Sequence, residues 1–328
     1  MKVLVTGGAG YIGSHVVKEL LARGYRTVTL DDLRKGHRAA VAGGAFIEGD
    51  CGDAELVARV CREYGVEAAV HLAADSLVGE SMADPARYCR NNLAGGIGLL
   101  DVLLACGVRR FIFSSTAAVY GEPEEVPITE EHPTRPVNVY GATKFVFEQI
   151  LEWYDRAYGL RYVSLRYFNA AGADESGEIG EDHRPETHLV PIVLQAALGK
   201  RDKVTVFGDD YPTPDGTCVR DYIHVTDLAQ AHVLALEALL AGRPSAVYNL
   251  GSERGHSVRE VIETARRVTG REIPVETGPR RAGDPAVLVA GSARIRRELG
   301  WAPRCGDLET IVRTAWAWHA RHPEGYGE

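Results

Sequence analysis

The sequence has no run of about 18 consecutive apolar residues, so no membrane-spanning helix is expected. The apolar stretch after Met1 stops at Gly7, too short for the core of a signal peptide. There is no Asn-x-Ser/Thr sequon. The six cysteines, Cys51, Cys61, Cys89, Cys106, Cys218 and Cys305, are scattered without metal-site spacing. At this length a disulfide framework is not expected, and the reading is reduced thiols in a cytoplasmic protein. A Gly-x-Ser-x-Gly elbow, a Walker loop and a metal-spaced His/Cys cluster are all missing, so a serine hydrolase, a P-loop enzyme or a metal site is not expected. Positive charge is in the minority, with 37 Lys and Arg against 45 Asp and Glu and a net charge of -8. That balance argues against nucleic acid or an anionic membrane as the main partner. It leaves room for a small anionic ligand met by a local group of arginines.

What is present is an alternation of strands and helices. With 328 residues the chain exceeds one average domain. Val3–Thr6, Thr27–Leu30, Ala68–Leu72, Arg110–Ser114 and Tyr162–Leu165 read as short buried strands. Between them, Tyr11–Arg23, Ala54–Tyr64, Pro85–Cys106 and Asn138–Tyr158 read as helices. This order implies a parallel sheet covered on both faces, the doubly wound α/β class. After Phe168 the texture changes. Residues 171–188 read as a polar loop, followed by a helix at Leu189–Leu198, a strand near Val204–Phe207 and a loop at 208–217. Val225–Leu240 reads as a helix and Val247–Leu250 as a strand. Ser257-x-x-Glu260 reads as a capping box opening the helix to Val268, and helices near Ser292–Leu299 and Leu308–His319 close the sequence. The expected division is a first domain over residues 1–170, with 225–250 returning to its sheet, and a smaller second domain over 171–328.

Gly7-Gly8-Ala9-Gly10-Tyr11-Ile12-Gly13 lies between the first strand and the first helix. Small residues there let the backbone approach a pyrophosphate, whose charge sits at the helix N-terminus. Asp31 ends the second strand about 20 residues on, where a carboxylate binds a ribose 2′-hydroxyl and repels a 2′-phosphate, which favours NAD over NADP. Asp50 follows another short apolar run; it meets the adenine or caps the helix at Ala54.

The strand Arg110–Ser114 should end at the carboxyl edge of the sheet, leaving Ser115 and Thr116 at the mouth of the crevice. In the helix from Asn138, Tyr140 and Lys144 stand at i and i+4 and share a face. A phenol of pKa about 10 is a poor base at neutral pH; a neighbouring ammonium and a nicotinamide cation would lower it by about 1–3 units each. Tyr140 could then take an alcohol proton while hydride leaves to NAD, with Lys144 tuning it and Thr116 orienting the proton. Ala117 and Ala118 follow Thr116, and neither side chain can give or take a proton.

With these residues in view, the chain resembles the extended short-chain dehydrogenase/reductase family, and within it the nucleotide-sugar epimerases. The resemblance is carried by Thr6-Gly-Gly-Ala-Gly-Tyr-Ile-Gly-Ser-His15, Leu77-Val-Gly-Glu-Ser81, Ser114-Ser-Thr-Ala-Ala-Val-Tyr-Gly121, Tyr140-Gly-Ala-Thr-Lys144 and Leu165-Arg-Tyr-Phe-Asn169. It continues through Gly180-Glu-Asp182, Val219-Arg-Asp-Tyr-Ile-His-Val225, Tyr248-Asn-Leu-Gly251 and Pro279-Arg-Arg-Ala-Gly-Asp284. It implies a Rossmann-type doubly wound sheet with a smaller α/β substrate-binding domain, and interconversion of UDP-galactose and UDP-glucose through a 4-keto sugar with tightly bound NAD. It leaves open whether UDP-N-acetylhexosamines are substrates as well; the alternative is another NAD-dependent nucleotide-sugar epimerase or dehydratase of the same fold. It implies a homodimer formed through the two long helices.

Residue by residue, the resemblance implies catalytic Thr116, Tyr140 and Lys144. It implies cofactor contacts at Gly7, Gly10, Tyr11, Ile12, Gly13, Asp31, Asp32, Leu33, Asp50, Cys51, Leu72, Ala73, Ala74, Asn91, Tyr140, Lys144 and Phe168. For the UDP-sugar it implies Thr116, Tyr140, Asn169, His188, Leu189, Phe207, Arg220, Arg281, Asp284 and Leu288. Four positions depart from common members: Thr116 replaces Ser, Asp75-Ser76 replaces a Lys-containing pair, His188 replaces Asn, and Leu288 falls between a large Tyr and a smaller residue.

Overall fold

In the computed structural model, residues 1–281 and 283–327 are described. Seven strands form one parallel sheet in the order Ala246–Leu250, Arg161–Tyr167, Arg110–Thr116, Ala68–His71, Lys2–Thr6, Arg26–Asp31, Ala45–Glu48. The chain enters at Lys2–Thr6, winds outward on one side, then crosses back through Ala68–His71 and winds outward on the other. The crevice of such a sheet opens where the winding reverses, past the carboxyl ends of Lys2–Thr6 and Ala68–His71.

The central strands read as unbroken apolar runs because alternate residues feed two cores. Val3, Val5, Val70 and Ile112 point to one face and pack with Val16 and Leu20 of the helix Tyr11–Ala22 and Leu228 and Leu236 of the helix Val225–Leu240. Leu4, Ala69, Phe111 and Phe113 point to the other and meet Val57, Leu99, Leu103, Phe147 and Leu151 from three further helices. Full burial of each of the Val, Leu, Ile and Phe side chains stabilises the fold by about 1.5–3 kcal/mol.

A third core joins the helices Leu189–Ala197, Val258–Thr269 and Leu308–Arg321. Beside it, Val219–His224 is the hub of a small sheet, pairing with Asn169–Ala171, Gly255–Ser257 and Val287–Leu288. Val204–Phe207 pairs in parallel with Val275–Gly278. Among the described residues, no helix is long and apolar enough to cross a membrane.

Helix ends follow local chemistry. Asp53 accepts from Glu55 N and Leu56 N at the start of Ala54–Tyr64. Asn138 accepts from Gly141 N at the start of Val139–Tyr158, which Gly159 closes with φ 68°. Ser257 and Glu260 complete both halves of the capping box.

The stretch expected as one helix over Pro85–Cys106 is helical but uneven: α over Pro85–Tyr88, π over Cys89–Gly95, α again over Gly96–Ala105. In the π turn, Asn92 bonds the backbone of Asp75 with both ends of its amide, at 3.0 Å each, and also reaches Thr143 Oγ1 at 3.2 Å. Such turns recur at functional sites. Several elements were not legible at all: the helix Val78–Ala83 and the strands Ala45–Glu48, Val219–His224, Val275–Gly278 and Val287–Leu288.

Candidate active site

The glycine loop turns tightly against the strand Ala68–His71 and the two residues that follow it. Gly7 has φ 73°, and a Cβ there would lie 2.5 Å from Ala73 N; one on Gly13 would lie 2.0 Å from Gly7 O. The loop therefore admits no side chain at either position. Leu72 N and Ala73 N both donate to Thr6 O, at 3.0 and 3.1 Å, which fixes the 72–74 segment beside the loop. The helix Tyr11–Ala22 starts at Gly10 with no side-chain cap, so its first N–H groups remain open to an anion.

Asp31 is buried at the end of its strand. Oδ2 accepts from Ala9 N and Oδ1 from Leu33 N, both at 2.9 Å, so the carboxylate ties the glycine loop to the turn after the strand. Burial raises its pKa above the ordinary value, and the two backbone donors oppose the rise. Arg34, the nearby cation that could have favoured a 2′-phosphate, instead pairs with Asp32 at 2.5 Å and reaches Asn91 Oδ1 at 3.2 Å. Asp50 accepts from Gly52 N at 2.8 Å, and the cap of the next helix is Asp53, so of the two readings of Asp50 the capping one is set aside. Cys51 follows it, half-buried, its thiol pushed up to about 12 mainly by burial.

At the next strand's end, Thr116 Oγ1 accepts from Ala118 N at 3.1 Å and opens the short turn Ala117–Val119. Tyr140 and Lys144 are buried on one face of their helix. Lys144 Nζ donates to Ser114 O at 2.8 Å and lies 6.0 Å from the centre of the Tyr140 ring. The electrostatics differ from expectation. Burial pushes the Tyr140 phenol well above 10.0, Tyr167 adds to the rise, and a hydrogen bond with Thr116 opposes it. Lys144 does not lead the balance because burial lowers its own pKa from 10.5 to about 7, with Glu148 opposing. The phenol is therefore held protonated by the protein alone.

A second group of residues faces the small sheet. Arg220 pairs with Asp284 and donates to Val219 O at 2.8 Å. The Arg281 guanidinium lies 4.0 Å over the ring of Phe207, a partly exposed residue at the end of Val204–Phe207. Leu288 pairs in register with Arg220 and packs against the cluster of Phe168, Val119, Tyr120, Ile128 and Ala290. Asn169 begins the strand directly after Phe168. His188 forms the N-cap of the helix that Leu189 opens. Ala282, in the Pro279–Asp284 motif, lies outside the described residues.

Sequence reasoning missed the support beneath this site. Glu148, one turn beyond Lys144, accepts from Ser115 Oγ at 2.5 Å and from Arg166 Nε at 3.0 Å. Arg166 in turn donates to Tyr120 OH, which donates to Asn249 Oδ1. The signal was available: Tyr140, Lys144 and Glu148 continue one i, i+4 face. Asp75 forms an ion pair with Arg87 at 2.9 Å. The reading of residues 171–188 as a polar loop singled out no metal-ligand spacing, yet the fold gathers Glu181, His183, Glu186 and His188 so that one ligating atom from each lies within 4.8 Å of the others. Their signal was Glu-x-His repeated five residues on.

Comparison with known proteins points to one family. The sequence model of the NAD dependent epimerase/dehydratase family matches residues 3–251. The UDP-glucose 4-epimerase of Halalkalibacterium halodurans is 53% identical over 326 residues, 99% of this chain and 98% of that protein. A crystal structure of a UDP-glucose 4-epimerase superposes with a TM-score of 0.98 at 52% identity, covering 100% of both chains. The UDP-glucose 4-epimerase of Bifidobacterium longum, solved in complex with NAD+ and UDP, superposes with a TM-score of 0.94 at 40% identity, over 99% of this chain and 100% of that one.

Proposed function

This chain belongs to the NAD dependent epimerase/dehydratase family, and from that premise we propose that it interconverts UDP-galactose and UDP-glucose by inverting C4 of the hexose. The observation that carries the reading is the placement of Thr116, Tyr140 and Lys144 at the mouth of a dinucleotide crevice whose winding reverses beside the glycine loop. The open helix N-terminus after Gly10 would hold the pyrophosphate, and Asp31 the adenosine ribose. Around them Asp32, Leu33, Asp50, Cys51, Leu72–Ala74, Asn91 and Phe168 would complete the cofactor cleft. The chemistry that bound NAD would supply there is reversible hydride acceptance from C4, with return to the opposite face of the sugar.

The protein's own task is to hold a proton at the Tyr140 oxygen and exchange it with the C4 oxygen, in both directions. Thr116, bonded to that phenol, would orient it. Lys144, anchored on the Ser114 carbonyl, would hold the nicotinamide ribose. Arg220, Arg281 and Phe207 would grip the nucleotide diphosphate, since guanidinium forks match phosphate oxygens and an aromatic face takes a base. Asn169, His188, Leu189 and Asp284 would complete that grip. Firm holding of the nucleotide lets the hexose turn, so remote binding energy serves the reaction at C4. Ala117 and Ala118 supply no acid or base for elimination, which favours epimerisation over dehydration.

In this reading residues 1–170 with 225–250 serve the cofactor, residues 171–328 serve the nucleotide sugar, and the enzyme works in the cytoplasm. It works as a homodimer. Val146 and Trp153, seven residues apart on the helix Val139–Tyr158, are 37% and 58% exposed, and Tyr154 ties that helix to Asp101 of its neighbour at 2.7 Å. Sedimentation as a monomer at micromolar concentration would contradict the dimer. Tyr140→Phe should abolish interconversion while NAD stays bound; near wild-type turnover would overturn the assignment. Parallel assays with UDP-galactose and UDP-N-acetylgalactosamine read whether an N-acetyl group at C2 passes Leu288.

A further inference from the structure

Beside the crevice, and sharing His188 with the proposed nucleotide-sugar grip, the segment 181–188 collects two carboxylates and two imidazoles around one point. Glu181 and Glu186 are 3% and 8% exposed, deep for carboxylates. His183 Nδ1 and His188 Nδ1 approach the same oxygen, Glu181 Oε1, at 3.0 and 2.8 Å. Glu186 closes the group, with Oε1 3.2 Å from His188 Nδ1 and Oε2 3.9 Å from His183 Nδ1. Ligands bound to zinc at about 2.0–2.1 Å in a tetrahedron lie about 3.3 Å apart along its edges. The four spacings bracket that edge.

Among the described residues, the ion-pair partners of these two carboxylates are the two imidazoles, so no described lysine or arginine takes the place of a cation beside them. The supporting bonds are in place as well. Thr187 N and His188 N donate to Glu186 Oε1 at 2.7 and 2.8 Å and hold that carboxylate in its inward pose, as outer partners of metal ligands do.

We propose that Glu181, His183, Glu186 and His188 form a binding site for one divalent transition-metal ion of the zinc type. The mixed nitrogen and oxygen donor set suits zinc better than magnesium or calcium, which prefer oxygen alone. The ion would fix the segment before the helix Leu189–Ala197, and His183 would carry that order to the helix that follows the glycine loop through a ring contact. Tyr11 makes that connection visible: its ring packs edge-on to His183 at 6.2 Å, and its hydroxyl donates to Gly172 O at 2.6 Å. With Nδ1 on the metal, His188 would keep its Nε2 proton as a fixed donor. That consequence rests on reading His188 as a nucleotide-sugar contact, and titration without UDP-sugar tests the metal site separately.

The test uses the full chain with its bound NAD, dialysed against a chelator and then titrated with Zn2+ and, in a second series, Co2+. The expected result is one equivalent per chain, a ligand-field absorption of four-coordinate Co2+, and a melting temperature that rises with free metal. His183→Phe keeps the ring against Tyr11 and removes the donor nitrogen; it should lose the stoichiometric uptake. Glu186→Gln keeps an acceptor for Thr187 N and His188 N and should weaken binding at least about tenfold. NAD content of each variant reports that the fold is intact. No uptake by the wild-type chain, or equal uptake by both variants, would overturn the site.

Discussion

The buried pair Glu148–Arg166 offers a sharp test of how the active site is supported. Their side chains are 5% and 8% exposed, so neither half can be rehydrated when the other is removed. Glu148→Leu leaves the guanidinium with Tyr120 OH as its remaining side-chain partner, and Arg166→Met leaves the carboxylate with Ser115 Oγ alone. Each single change should cost about 3–5 kcal/mol, the usual result of stranding one half of a buried ion pair. The double variant should not cost the sum, because it buries no charge. Its losses are the two bonds from Ser115 and to Tyr120, about 1 kcal/mol each when their hydroxyls find no other partner. The double-mutant cycle should therefore return a coupling of at least about 3 kcal/mol. Urea unfolding of the NAD-bound chain measures it, with fluorescence and circular dichroism required to coincide before free energies are taken. Additive costs would refute the reasoning and mean that the pair is solvated or replaceable. A stable double variant with reduced turnover would show that the pair also positions Lys144, one turn away.

The legible parts of the fold were those whose signal is local. Ala54–Tyr64 carries its own cap at Asp53 and its own stop at Gly65, and Val139–Tyr158 has Asn138 and Gly159. The central strands declared themselves as apolar runs because both of their faces are covered. Illegible elements depend on distant partners: Val287–Leu288 is a strand only beside Val219–Arg220, and Ala45–Glu48 only beside Arg26–Asp31. The π turn exists because Asn92 is drawn to Asp75 and Thr143, which no spacing in the helix announces. The site divides in the same way. Tyr140 and Lys144 share a helical face and could be placed from spacing, whereas Phe207 beside Arg281 and Arg220 beside Asp284 are 74 and 64 residues apart and came only through resemblance. The Glu181–His188 cluster sits in a segment without period, so its side chains could not be assigned to a common point before the fold brought them there.

Three further outcomes follow from the geometry. Asp31→Asn should reduce the NAD retained on purification: an amide can accept from Ala9 N or from Leu33 N, but its NH2 then opposes the other donor, at about 1–3 kcal/mol; NAD content equal to wild type would contradict this. Among the histidines that burial depresses, four fall furthest, His15, His224 and His232 to about 4 and His71 to about 3. Unfolded they bind protons below about 6.5, so their stabilisation is complete above that pH and is lost as pH falls toward 4, with a slope approaching about 5 kcal/mol per unit near pH 5. His232→Leu should flatten that slope by about a quarter, and an unchanged slope would refute the burial argument. Lys144 is a base of the same kind acting at higher pH, since its folded pKa of about 7 lies below its ordinary 10.5. Between those values the unfolded chain holds the proton and the folded chain does not, so stability should rise with pH from about 7 to about 10.5, by up to about 5 kcal/mol at about 1.4 kcal/mol per unit. Lys144→Met removes that term and also loses the bond to Ser114 O, about 1–3 kcal/mol. The variant should therefore be the more stable protein at pH 7 and lose its advantage by about pH 10, while its turnover falls. A Lys144→Met chain less stable than wild type at pH 7, or a difference that ignores pH, would mean that the ammonium stays charged in the site and that its partners, not burial, govern it.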